Sequence, residues 1–316
     1  MKWKWLFLIG LILLVALLTF GIRRQLPKTV LVLDKEDRAG LPGNFRMTRG
    51  ELPFRAGNAP NLWGLAALNA SGSSQFTEGE LHAIRAKIGA GYAATVVDVR
   101  QESHGFVNSM AVSWYGKGNQ ANIGLTKAEV LADEARKLND LARAKTITIH
   151  RGRPGKDADQ GKPLRVTAPF TVRNEKRLAQ ELGMGYYRVP VTDHHRPTDA
   201  AVDDFIQFAK TLPNNAWLHF HCRAGVGRTT TFLIMYDMMR NAKQVDFRDI
   251  IDRQMLLGGS DIIRHYDRKN SRNPNTRAIH QFLQQFYCYC QGNPDNYATS
   301  WREWLQGGSG FKDWIL

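Results

Sequence analysis

The 316-residue chain has little cysteine, three residues in all, so no disulfide framework holds it together. Acidic residues are also scarce, with 29 Asp and Glu against 43 Lys and Arg for a net charge of +14. A field of that sign attracts anions such as nucleic acid, anionic lipid or a phosphorylated small molecule. No nucleic-acid recognition motif or aromatic-basic repeat accompanies the charge, so nucleic acid is not expected as a partner. Internal repeats and low-complexity tracts are absent, and 43% hydrophobic with 23% charged residues is an ordinary globular composition that excludes disorder and collagen-like structure. The length suits one large domain or two small ones.

The chain's long apolar run is Leu6 to Ile22, with Lys2 and Lys4 before it and Arg23, Arg24 and Lys28 after it. As a helix it reaches about 26 Å, short for a bilayer span and long for a signal-peptide core. No small-x-small cleavage site follows. Residues 1–22 are therefore expected to be an uncleaved membrane anchor, or alternatively a removed secretory signal, with the domain outside the cytoplasm in either case. Basic residues on both flanks leave the orientation open. Without this segment the charge is still +12.

Residues 23–39 read as a linker, 40–305 as the folded domain and 306–316 as a tail. Gly and Pro punctuate residues 40–64, an irregular wrap. Thr77-Glu78-Gly79-Glu80 and Thr126-Lys127-Ala128-Glu129 are capping boxes that open helices to about Ile88 and Ala144. Ala94 to Val99, Tyr186 to Val191 and Trp217 to His221 read as strands. Thr146 to His150 and Arg165 to Val172 read as a hairpin off the main body. Helices are expected after Thr198, from Thr229 to about Asn241, and along the stripe Ile279, Phe282, Leu283, Phe286, Tyr287 and Cys290. Strands alternating with helices make the fold α/β. Ligands in such sheets collect at the carboxyl ends of strands.

At one such end lies His221-Cys222-Arg223-Ala224-Gly225-Val226-Gly227-Arg228-Thr229. Five residues between cysteine and arginine make a loop short enough to curl, and its glycines permit the conformations that point backbone N–H groups inward. The helix that follows adds the positive end of its dipole, and Arg228 can grip two phosphoryl oxygens. The same surroundings favour a thiolate on Cys222, a nucleophile for phosphorus. The Thr229 hydroxyl can hydrogen-bond the sulfur as it leaves. The leaving alkoxide needs an acid on a separate loop, and Asp193, within Val191-Thr-Asp-His-His-Arg-Pro197, is expected to supply it and then to act as base toward water. His221 orients the loop. Cys288 and Cys290 are structural, and no metal-ligand set or cofactor motif is found.

The Cys-x5-Arg-Thr loop resembles that of the protein-tyrosine-phosphatase superfamily. Leu41 to Arg46, Leu68 to Phe76, Asp98 to Gly105, Val112 to Tyr115, Thr192 to His194, Trp217 to Thr231 and Gln285 to Tyr287 resemble segments of its phytase-like branch, bacterial cysteine phosphatases acting on inositol phosphates. The resemblance implies a central sheet between helices with a small partial β-barrel that includes about 146–172. It also implies that His194 and Arg46 contact substrate, with Arg268 and Lys269 as further basic contacts. Arg223 would add charge at the pocket rim.

The expected activity is hydrolysis of phosphomonoesters of inositol hexakisphosphate through a phosphocysteine intermediate, with a polyanionic small molecule as partner and no metal required. Five phosphates outside the reaction cup call for a broad basic bowl, whereas phosphotyrosine calls for a deep aromatic slot. The alternatives are a protein-tyrosine phosphatase and an inactive phosphate-binding module.

Overall fold

A computed structural model of the chain describes residues 29–50, 59–157, 161–261 and 273–307. The apolar run 1–22, Arg268, Lys269 and all but the first two residues of the 306–316 tail lie outside the described residues. Among the described residues no helix is long and apolar enough to cross a membrane.

Five strands form the central sheet in the order β10 (Gly185–Val191), β4 (Ala93–Arg100), β11 (Ala216–His221), β3 (Ala70–Ser73) and β2 (Arg46–Met47). All neighbours are parallel except β2, which runs antiparallel to β3. Side chains alternate across a strand, and the two faces carry separate cores. Val97, Val99, Leu218 and Phe220 pack with Phe205, Phe232, Leu283 and Phe286. Val96 and Trp217 pack on the other side with Phe76, Leu81, Ile84 and Leu178. The sheet is thus buried on both faces, as parallel sheets must be.

The helices that cover it are α1 (Glu78–Ile88), α2 (Lys127–Arg143), α3 (Glu175–Glu181), α4 (Asp199–Lys210), α5 (Gly227–Asn241), α6 (Phe247–Leu256), α7 (Pro274–Gln291) and α8 (Trp301–Gln306). Both expected capping boxes are formed, Thr77 with Glu80 and Thr126 with Glu129. Helix α5 begins two residues earlier than expected, at Gly227.

A second, antiparallel sheet has the order β1 (Val30–Lys35), β6 (Met110–Tyr115), β5 (His104–Val107) and β9 (Val172–Arg173). The expected hairpin is present as β7 (Thr146–Ile149) and β8 (Leu164–Thr167). It joins β1 through Leu33 and Leu31, which exchange backbone hydrogen bonds with His150. Leu31, Val112, Trp114, Ile147 and Ile149 share one core. The linker assigned to residues 23–39 is corrected here: Val30 to Lys35 are a strand of this body. A strand of six residues gains its stability from its partner, and that partner, β6, lies about 80 residues downstream, so local sequence shows little of it.

Register decides what meets at the sheet's carboxyl edge. His221 lies beside both Ser73 and Asp98, and Val191 lies beside Arg100. The segments that leave β3, β4, β10 and β11 therefore emerge together.

Candidate active site

The loop after β11 is shaped by what receives its carbonyls. The Gln75 N–H donates to the carbonyl of Arg223 at 3.1 Å, Asn44 Nδ2 to that of Ala224 at 2.8 Å, and Arg46 Nη1 to that of Gly225 at 2.8 Å. With three successive carbonyls held outward, the opposite N–H groups face the hollow, and the Gly225 N–H donates to Cys222 Sγ at 3.2 Å. Gly225 has φ +74°, and a Cβ there would lie 2.2 Å from the Ser74 amide nitrogen. Only glycine fits. Val226 stands 41% exposed at the rim, and Gly227 opens α5. The Thr229 hydroxyl is buried with no hydrogen-bond partner, which leaves it available to a group in the hollow.

Arg228 is buried and held in place by the Glu102 carboxylate, with Nη1 to Oε2 at 2.8 Å and Nη2 to Oε1 at 3.1 Å. Its Nη1 also donates to the Val191 carbonyl at 3.0 Å. Burial opposes its charge, but Glu102, Asp193 and Cys222 together raise its pKa. Asp193 Oδ1 lies 3.3 Å from Arg228 Nε, and Asn119 Nδ2 donates to Asp193 Oδ2 at 2.8 Å. The structure thus gathers Cys222, Arg228, Thr229 and Asp193 in one place. An anion in the hollow would meet inward amides and a fixed guanidinium, with a sulfur below and a carboxyl alongside.

A closed set of charges lies behind the loop. Arg100 bridges Asp34 and Glu102 at 2.9 Å each. Arg188 pairs with Asp98 at 3.2 Å and Glu134 at 2.6 Å, and His221 Nε2 lies 2.6 Å from Glu175. Burial alone would drive His104 down, but Asp98, with lesser help from Glu134, raises it to about 10. Burial would raise Glu175, yet His221 and His104 bring it to about 2. His219 instead is held neutral by burial and by the nearby His221, its pKa lowered to about 3. Asp98, Glu175 and His221 bring donor atoms within 4.8 Å of one another, an arrangement a cation could use. Arg188 and His104 already place positive charge on Asp98, at 3.2 Å each.

Two basic residues sit differently from expectation. Arg46 is 5% exposed and grips the loop rather than opening onto it, with Nη2 on Thr230 Oγ1 at 3.0 Å. Burial lowers its pKa to about 10, the Cys222 sulfur opposing. Arg223 is not a free charge at the rim, because its Nε donates to Asp34 Oδ1 at 2.6 Å. The strand missed in the sequence supplies that partner. His194 is open to solvent at φ +62° and lines a cavity of about 850 Å³ with Tyr115, Gln120, Lys156, Asn273 and Asn275.

Sequence reasoning assigned no role to Glu102, Asn119, Asp34, Glu175 or Lys156. One signal was present: Asp98, Arg100 and Glu102 alternate in sign at every second position, with Asp98 and Arg100 on one side of β4 and Glu102 just past its end.

A family model for protein-tyrosine-phosphatase-like phytases, described as inositol hexakisphosphate, matches residues 97–240. The chain is 30% identical over 289 residues to the effector protein hopD2 of Pseudomonas syringae pv. tomato, a match that covers 87% of the chain and 59% of that protein. A solved structure of a myo-inositol phosphatase of this type from Mitsuokella multacida, in complex with myo-inositol-(1,3,4,5)-tetrakisphosphate, superposes with a TM-score of 0.82. Identity to it is 37%, over 89% of this chain and 48% of that one. The chain thus spans little more than half of the first relative and about half of the second. A phytase of this type from Bdellovibrio bacteriovorus superposes with a TM-score of 0.69 at 33% identity, covering 90% of this chain and 97% of that one. Because that likeness runs through nearly the whole of both chains, the chain belongs to the protein-tyrosine-phosphatase-like phytase family.

Proposed function

We propose that the chain is a cysteine-dependent phosphatase that removes phosphate from inositol hexakisphosphate through a phosphocysteine intermediate. The observation that carries this is the outward capture of the Arg223, Ala224 and Gly225 carbonyls around the Cys222 sulfur. An amide-lined hollow of that kind suits an anion such as a phosphoryl group. The complex of the Mitsuokella relative with an inositol tetrakisphosphate supports the substrate class.

In this reading the Cys222 thiolate attacks phosphorus while Arg228 and the loop amides hold the equatorial oxygens. The P–O bond breaks and Asp193 gives its proton to the departing alkoxide. The Asp193 carboxylate then takes a proton from water, whose oxygen attacks the phosphocysteine. Inorganic phosphate leaves, and the sulfur departs as thiolate with the Thr229 hydroxyl beside it. His194 and Lys156, on the cavity wall, face the phosphates that do not react. Each residue requires only the placement described above, and the chemistry uses no metal or cofactor.

The test compares kcat/KM on inositol hexakisphosphate with that on phosphotyrosine peptides, using the domain from about residue 28. A clear preference for the inositol phosphate is expected, and a preference for the peptides overturns the substrate assignment. We further propose that the domain acts outside the cytoplasm, anchored through residues 1–22 or released when they are removed. The uncharged run from Leu6 to Ile22 supports this. Protease added to intact cells should then digest the domain, and full protection would count against it.

A further inference from the structure

We propose that Asn119 is a positioning residue that holds the Asp193 carboxyl in place for proton transfer. Asn119 ends the short turn Lys117–Asn119 that follows β6. Its backbone has φ +59°, and its N–H closes the turn on the Gly116 carbonyl at 2.9 Å. The side chain is 3% exposed. One end, Nδ2, donates to Asp193 Oδ2 at 2.8 Å, while the other, Oδ1, is buried with no partner.

That asymmetry is informative. A buried amide that served only packing would have both ends satisfied, since an unmade bond costs more than a made one gains. Here the one side-chain bond goes to Asp193. An ionised carboxylate only accepts, so the amide must present its nitrogen. The bond from Nδ2 to Oδ2 fixes the turn of the carboxyl and leaves Oδ1 on the side of Arg228. That oxygen faces Arg228 Nε at 3.3 Å, and this nitrogen makes no hydrogen bond. Oδ1 also accepts from the His194 N–H at 3.2 Å, and His194 Nε2 lies 3.7 Å from Oδ2. Asn119 thus comes from the turn after β6 and steadies a carboxyl, on the loop after β10, beside the hollow after β11.

The inference rests on Asp193 being the general acid, and the experiment separates the two. Asn119→Gly removes the amide at a backbone geometry glycine adopts freely, and Asn119→Asp keeps size and backbone preference while replacing the donor with an acceptor. Both should lower kcat on inositol hexakisphosphate by on the order of 10-fold, part of the 10²- to 10⁴-fold a positioned acid contributes. KM should stay unchanged. On p-nitrophenyl phosphate, whose phenolate leaves without much help, kcat should barely move. In an Asp193→Asn background neither change should cost anything further. Equal losses on both esters, or wild-type kcat on inositol hexakisphosphate in both variants, would overturn the role of Asn119. If Asp193→Asn itself shows no dependence on leaving group, the acid assignment fails instead.

Discussion

The two loops that meet over the site are held in opposite ways. The loop from Cys222 to Arg228 is tied from several sides: Asn44, Arg46 and Gln75 take its carbonyls, Glu102 fixes its arginine, and Ser74 leaves no room for a side chain at position 225. The carboxyl of Asp193 has one side-chain hydrogen bond, from Asn119, one backbone bond from its neighbour His194, and one close arginine. The difference follows from the work each must do. A phosphoryl hollow stabilises charge best when its dipoles are fixed in advance. A carboxyl that must be acid in one step and base in the next cannot be surrounded by fixed donors, because every one of them favours the ionised form.

Breaking the fixed side should give the largest effect. Cys222→Ser should release no measurable phosphate from inositol hexakisphosphate while still binding it, which calorimetry would show. Turnover by this variant at even a tenth of the wild-type rate would end the thiolate mechanism. On the sparsely held side, Asp193→Asn should slow poor leaving groups by on the order of 10² to 10⁴. Unchanged rates with alkyl esters would exclude it.

Glu102→Gln probes the tether under the fixed loop. It leaves Arg228 and Arg100 without their shared carboxylate, and removal of one partner from a buried pair costs about 3–5 kcal/mol. Denaturant melts should show that loss, and a midpoint within error of wild type would contradict it. Gly225→Ala against Gly227→Ala sharpens the same point within one loop. A methyl at 225 runs into the Ser74 backbone, whereas at 227 it meets nothing within 4 Å. Only the first should lower the melting temperature and kcat/KM, and equal behaviour would refute the steric argument.

The smallest effect at neutral pH, and a growing one toward either extreme, concerns the charges behind the loop. Burial would raise Glu175 from its ordinary 4.5, but the histidines beside it bring it to about 2. Asp34, Asp98 and Glu102 are lowered in the same sense. Groups lowered on folding contribute stability that is present above their unfolded values, so it drains away as pH falls from about 4.5 toward 2. His219, neutral down to about 3 against an ordinary 6.5, adds to the loss on the acid side as the unfolded chain takes up its proton first. His104 has the opposite sign: with a pKa of about 10, its contribution is complete below 6.5 and disappears as pH rises through 10. Melting temperature measured across this range should fall on both flanks and more steeply on the acid one. A flat profile below pH 4.5 would count against the charge network.

Legibility in the sequence followed distance along the chain. Cys222, Arg228 and Thr229 lie within eight residues, and their spacing alone encloses a phosphate-sized turn. Asp193 could be read because it follows a strand and precedes a proline. Asn44, Arg46 and Gln75 reach the same loop from about 150 to 180 residues away, and no local pattern reports which carbonyl each will take. The resemblance implies that Arg46 contacts substrate, and its partners in the structure are the loop carbonyl of Gly225 and Thr230. Arg223 is expected to add charge at the pocket rim, and its pairing is hidden because its partner, Asp34, lies in a segment that reads as a linker.

By itself the sequence determined the alternation of strands and helices, the helix starts with their capping boxes, and the curl of the loop around Cys222, since hydrophobic period, caps and glycine spacing act over a few residues. Tertiary structure alone decided the pairing of Arg223 with Asp34, of Arg228 with Glu102 and of Asp193 with Asn119. Those contacts depend on the register of strands far apart in the chain, and register is set by the packing of whole faces, which no short stretch of residues contains.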